Sequence, residues 1–431
     1  MSEHFIINGL AGKKTLEGEI AIVGAKNAAL KAIAASVLFN TPLRLTNVPH
    51  IEDVSRILDM LTQMGGSAIL AEHQVKIDAS CLTTTMLTPE IAMRIRASVV
   101  LTGPILARYG RVQFPHPGGD VIGERPIDLF IEGYLKMGAK VTRKGIMYDI
   151  KAPKGGLRGA EIFFRNISVT GTESFIMAAI LAKGTTVIRN AAMEPEIIWL
   201  ADILNKSGAH ISGAGTPIIT VRGSKLLSQT KGAFRVIPDR IEAGSFIILG
   251  ALAAKKLTVR GIIPEHLESL IELLEYTGTK LVRGKDYITI SQSKTKTPKL
   301  LRPVSMRTHE YPGFPTDLQS PMMIYLTQIA GESFVFETIF EGRLNYTESL
   351  NRMGANITMM DPHRVLVKGA SQLKGSVLES PDIRAGLAFV IAGAIASGTS
   401  EIHNVYHIDR GYEDIEKRLC GIGLDIVRIG E

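Results

Sequence analysis

The chain has 431 residues, 45% hydrophobic and only 6% aromatic, enough apolar material for two or three aliphatic α/β cores, and this composition excludes a disordered or fibrous protein. Only Cys81 and Cys420 are present, which excludes a disulfide framework or a zinc site and fits a reducing compartment. The net charge of +7 comes from basic residues spread along the chain without interleaved aromatics, so small anions are expected rather than nucleic acid.

The start, Met1-Ser2-Glu3-His4-Phe5, has no basic segment leading into an apolar run, and no long uninterrupted apolar stretch follows. The expectation is a cytoplasmic protein with no membrane insertion and no obligate protein partner. Ile6-Ile7-Asn8-Gly9 reads as an opening strand. Gly24-Ala25-Lys26-Asn27 then opens an Ala-rich helix, apolar nearly all round, that should be buried among close neighbours. Its counterparts begin near Arg96, Thr172, Glu242, Asp317 and Arg384.

A helix, a Gly-containing turn and a β-rich run recur roughly every 70 residues, longer than common solenoid repeats. The six turns are at Met64-Gly65-Gly66, Met137-Gly138-Ala139, Ser207-Gly208-Ala209, Thr277-Gly278-Thr279, Met353-Gly354-Ala355 and Gly421-Ile422-Gly423. Each fits a left-handed helix C-cap with a strand just beyond it. Six such units predict two α/β domains of three units each. One spans 22–236; the other joins 1–21 to 237–431, with the opening strand completing the last sheet. The two crossings, near 20–24 and 236, make a hinge.

Between the second buried helix and its outer helix lies Pro117-Gly118-Gly119-Asp120-Val121-Ile122-Gly123-Glu124-Arg125-Pro126. Three glycines and two prolines forbid regular structure, and the stretch from about 115 to 126 reads as a lid carrying an acid and a guanidinium. The buried helices offer free N–H groups at their starts, and six of them converging would bind anions. Lys26, Arg96, Arg125, Arg343, Arg384 and Arg410 fall at shared positions of the repeat and suit phosphate or carboxylate. Lys294 to Lys299 is a minor basic run that reads as solvated loop. No metal is indicated.

Gly24 to Ala29, Arg96-Ala97-Ser98, the lid motif, Pro238-Asp239-Arg240-Ile241-Glu242, Phe314-Pro315-Thr316-Asp317 and His407-Ile408-Asp409-Arg410-Gly411-Tyr412 together resemble the enolpyruvyl transferase family over essentially the whole chain. The resemblance is to the branch acting on UDP-N-acetylglucosamine. It implies two inside-out α/β barrel domains joined by a double-crossover hinge. The implied reaction moves the enolpyruvyl group of phosphoenolpyruvate to the sugar 3-hydroxyl and releases phosphate, the first committed step of peptidoglycan synthesis. The alternatives are 3-phosphoshikimate as acceptor, against which the lid and the His407 to Tyr412 run argue, and a non-catalytic nucleotide-sugar binder.

The resemblance also implies site roles. Lys26, Arg125 and Arg410 hold phosphoenolpyruvate, Asn27 the sugar, and Arg96 stands at the substrate site. Asp317 is the candidate base. Arg343, Asp382 and Arg384 are charged residues of the second domain; for Arg384 a structural salt bridge with Asp382 is the competing reading. Arg125, Pro126, Ile127, Asp128 and Leu129, with Asn166, Ser168, Val169 and the main chain at Ile339, face the nucleotide sugar. Three departures are Asp120, where the family usually has the cysteine that donates a proton and is the target of fosfomycin; Asn166, where a basic residue is frequent and neighbouring Arg165 could compensate; and Phe130, where a histidine is common. Asp120 implies insensitivity to fosfomycin.

Overall fold

A computed structural model describes residues 3–119, 122–123, 126–229, 232–292 and 301–430. Asp120 and Arg125, and the basic run Lys294 to Lys299, lie outside the described residues. The chain forms two compact units of α/β structure. One holds Gly24–Gly119 and the residues from 126 to Ile237; the other holds Met1–Val23, Pro238–Glu431 and, from the lid, Ile122 and Gly123.

Among the described residues each unit has three separate sheets rather than one closed barrel. Within a sheet, the strand that follows a buried helix pairs antiparallel with a hairpin, as Thr185–Arg189 does with Ile218–Arg222 and then His210–Ser212. Its other edge usually takes a parallel strand, here Glu161–Phe163. Among the described residues, the sheet of Arg111–Pro115, Met147–Lys151 and Lys140–Lys144 has a parallel bridge, Met86 to Gln113, in that place. In the last sheet His4–Asn8 lies between Thr399–His403 and Asp425–Ile429, antiparallel to both.

Two parallel strands are exchanged. Leu16–Ala21 precedes the Lys26–Ala35 helix in sequence but pairs with Ala254–Arg260. Phe234–Arg235 precedes the Arg240–Ala253 helix but pairs with Leu43–Thr46. The chain therefore passes from one unit to the other between a strand and its helix. On one side the connecting backbone is tied by Asp239 N donating to Val23 O at 2.9 Å, and on the other by Ala25 N donating to Ile237 O at 2.7 Å.

The six repeat turns share one geometry. Gly65, Gly138, Gly208, Gly278, Gly354 and Gly423 all have φ between 87° and 106°. Without a Cβ they take this left-handed conformation at little cost, which lets the next N–H reach back five residues, as Thr279 N does to Leu274 O.

The buried helices follow the expected positions with two differences. At Arg96 and Thr316 the chain enters as 3-10 turns, Arg96–Leu101 and Thr316–Leu318, and the α-helices start only at Thr102 and Gln319. Pro104 and Pro321 explain this: a proline has no N–H to donate and clashes with the carbonyl four residues back, so it must sit in the first α-turn. The Ile383–Ile395 helix is buried along its whole length. Each unit has its own aliphatic core.

Candidate functional site

In the first unit, Gly24 passes so close to Asn47 O that an added Cβ would lie 1.8 Å away. Only glycine fits, and this close passage sets Lys26 as the first residue of its helix. Ala25 supplies no side-chain cap at this helix start. Lys26 is only 7% exposed, and its Nζ lies 2.7 Å from Oδ2 of Asp53, in the first turn of the Glu52–Gln63 helix. Asn27, beside it, is half-buried.

Arg96 reaches both ends of the lid, with Nη1 3.5 Å from Pro117 O and Nη2 3.5 Å from Pro126 O. Ile127 is buried, Pro126 and Asp128 are exposed, and Leu129 is half-buried against Gly171. Ser168 caps the Val169–Ile180 helix by accepting from Gly171 N at 3.1 Å. The Leu129 segment and the Ser168–Val169 turn are thus adjacent. Asn166 is exposed, and Arg165 beside it pairs with Glu132 at 3.3 Å. Phe130 is buried and stacks on Phe175, so it belongs to the core.

In the second unit, Asp317 sits in the Thr316–Leu318 turn and accepts from two arginines. Arg343 Nη2 donates to Oδ1 and Arg384 Nη2 to Oδ2, each at 2.9 Å. Burial of both guanidiniums opposes their charge, but Asp317 with Asp382 and Glu337 around Arg343, and with Tyr412 and Asp239 around Arg384, raises both above the usual arginine range. Arg384 does not pair with the Asp382 side chain: that carboxylate caps its own helix, accepting from Arg384 N and Ala385 N at 2.8 and 3.1 Å. Arg410 is 5% exposed at the end of the Tyr406–Asp409 turn.

Aspartates fill two of the helix starts expected to bind anions. Asp239 accepts from Ile241 N and Glu242 N, and Asp382 caps the Ile383–Ile395 helix in the same way, so those N–H groups are already used. Glu337 was not singled out from the sequence. Its fully buried carboxylate accepts from Thr316 Oγ1 at 2.9 Å, Ile339 N at 2.8 Å and Phe340 N at 3.2 Å. One side chain therefore fixes both the Asp317 turn and the Ile339 main chain. Its one sequence signal is an acid placed just past a strand, before Thr338.

The sequence profile of EPSP synthase (3-phosphoshikimate 1-carboxyvinyltransferase) matches residues 10–419. A UDP-N-acetylglucosamine 1-carboxyvinyltransferase from a Nitratiruptor species is 41% identical over 422 residues, covering 98% of this chain and 99% of that protein. One from Halothermothrix orenii is 42% identical over 421 residues, covering 97% and 99%. Among solved structures, the enolpyruvyl transferase NikO from Streptomyces tendae is similar with a TM-score of 0.87 at 22% identity, covering 99% of both chains. EPSP synthase from Acinetobacter baumannii is similar with a TM-score of 0.74 at 19% identity, covering 100% of both.

Proposed function

The chain belongs to the EPSP synthase family of enolpyruvyl transferases and is a transferase, and from that premise we propose that it transfers the enolpyruvyl group of phosphoenolpyruvate to the 3-hydroxyl of UDP-N-acetylglucosamine. The choice of acceptor rests on the names of the 41–42% identical relatives. The observation that carries the chemistry is Asp317, whose side chain is 25% exposed while two buried arginines hold both its oxygens.

The reaction is an addition followed by an elimination. A proton is added to the methylene carbon, C3, and leaves a cationic C2. The sugar oxygen bonds to C2 and gives its proton to Asp317. A proton then returns from C3 to the group that had donated it, the double bond reforms, and the C2–O bond to phosphate breaks. Two arginines donate to both oxygens of Asp317 and aim it, which suits a proton that becomes acidic only as the sugar oxygen bonds to the cationic carbon. Lys26, Arg125 and Arg410 neutralise the phosphate and carboxylate of phosphoenolpyruvate. Asn27, the segment from Arg125 to Leu129, Asn166, Ser168, Val169 and Ile339 hold the acceptor, Arg96 stands at the substrate site, and Arg343 and Arg384 aim Asp317 at the sugar hydroxyl. Asp120 supplies the proton to C3. No step calls for a metal or organic cofactor.

This activity would make the protein the first committed enzyme of peptidoglycan synthesis, and Asp120 would make it insensitive to fosfomycin. Among the described residues no helix is long and apolar enough to cross a membrane. The family profile's own description favours one second reading, with 3-phosphoshikimate as acceptor. Phosphate release from phosphoenolpyruvate, measured alone, with UDP-N-acetylglucosamine and with shikimate 3-phosphate, tests both. Release only with the nucleotide sugar is expected; release only with shikimate 3-phosphate would replace the reading, and release with neither would remove it.

A further inference from the structure

The structure assigns Tyr412 a positioning role in the reaction proposed above: its phenol holds Arg384, and through Arg384 the Asp317 carboxylate, to the segment that carries Arg410. The inference rests on Asp317 being the base of that reaction. Arg384 Nη1 donates to Tyr412 Oη at 2.8 Å, while Nη2 of the same guanidinium donates to Asp317 Oδ2 at 2.9 Å. Tyr412 is 1% exposed and stands two residues after Arg410. One planar guanidinium thus spans a buried phenol and a partly exposed carboxylate, and turning either end turns the other.

The alternative is a tyrosine that only fills space. Burial pushes the phenol up to about 12, so it stays a neutral hydroxyl that can accept from Arg384 throughout the working range. The surrounding charges come from several elements. Asp239 and Asp382 cap the two neighbouring helices, Glu337 follows the Gly331–Phe336 strand, and Arg343 takes the other oxygen of Asp317. Buried Tyr346 donates to Gln319 instead. None of these replaces the contact on Arg384 Nη1, so its loss leaves a buried N–H without an acceptor and turns the guanidinium.

The test is Tyr412→Phe in the full-length enzyme, read by crystal structure and by kinetics across pH. In the variant the ring is expected to stay while Arg384 moves out of hydrogen-bond range of Asp317. The rate constant kcat should fall about tenfold with KM for both substrates within about twofold, and the acid side of the pH–rate profile should move to higher pH. Arg384→Lys should cost a similar factor, and the double variant should lose little more than either single one. An Arg384–Asp317 bond unchanged in the variant structure, superimposable pH profiles, or losses that multiply would each overturn the role. Should the wild type transfer nothing to UDP-N-acetylglucosamine, the proposed function fails, and the variant's structure alone still decides whether Tyr412 governs Arg384.

Discussion

The Lys26 amine lies 2.7 Å from the Asp53 carboxylate, with the two side chains only 9% and 3% exposed. A solvated lysine at a helix start could be removed at little structural cost. Here removal takes a cation from 2.7 Å beside the buried Asp53 carboxylate. Lys26→Ala is therefore expected to lose stability, by up to about 3–5 kcal/mol, as well as activity. Turnover should fall below about a tenth of wild type, because a charge-assisted contact to phosphate is worth about 1.5–3 kcal/mol. Lys26→Met with Asp53→Leu should recover much of the stability and none of the activity. Denaturant unfolding and phosphate release check both; unchanged stability in Lys26→Ala would show that the pair carries no structural weight.

Asp317→Asn separates binding from chemistry. The amide is nearly isosteric but cannot take the hydroxyl proton, so kcat should drop by about two orders of magnitude or more while UDP-N-acetylglucosamine binding stays within a few-fold. The amide also turns an N–H₂ toward one of two arginines, Arg343 or Arg384, that both donate. A stability loss of about 1–3 kcal/mol should follow. Calorimetric binding and phosphate release decide it: unchanged turnover removes Asp317 from the base role.

The α/β architecture was legible because the repeat's turns need a left-handed residue, and Gly65 through Gly423 announce it six times. The 3-10 entries at Arg96 and Thr316 were also legible in principle, since Pro104 and Pro321 forbid an earlier α-start. Side-chain pairing was not. Nothing in Asp382-Ile383-Arg384 says that the acid caps backbone while the arginine turns to Asp317, since the latter two stand 67 positions apart and meet only in the fold. Asp53 and Glu337 escaped for the same reason: their partners are set by packing, not by spacing.

Glu173 gives a pH dependence with a definite sign. It is fully buried, neither carboxylate oxygen has a hydrogen-bond partner, and Lys31 Nζ is 3.4 Å away. Burial pushes it up to about 8, Lys31 pulls it down, and Glu196 and Glu194 push it further up. In the unfolded chain it titrates near the ordinary 4.5. Below that value both states hold the proton and nothing is lost. As pH rises toward about 8 the unfolded chain releases its proton first, so unfolding is increasingly favoured. Glu173→Gln removes this slope. The variant should gain on wild type between pH of about 5 and about 8.5, whatever constant offset the loss of Lys31's partner adds. Parallel stability curves would show that Glu173 does not titrate in this window.

Asp120 lies outside the described residues, and its prediction rests on the chemistry of a carboxylate in the lid. Toward an epoxide a carboxylate is a far poorer nucleophile than a thiolate, so fosfomycin should not inactivate the wild type at concentrations that alkylate a cysteine-bearing relative. Asp120→Cys should restore time-dependent inactivation. The exposed thiols of Cys81 and Cys420 serve as internal controls, since any labelling there should leave activity intact. As a proton donor the carboxyl has the opposite difficulty: an ordinary aspartate ionises near about 3.9 and a thiol near about 8.5. Activity should therefore fall at lower pH in the wild type than in Asp120→Cys, whose donor keeps its proton longer. Rapid loss of wild-type activity with fosfomycin would sink the first expectation, and superimposable pH–rate profiles of the two forms would sink the second and move proton donation away from residue 120.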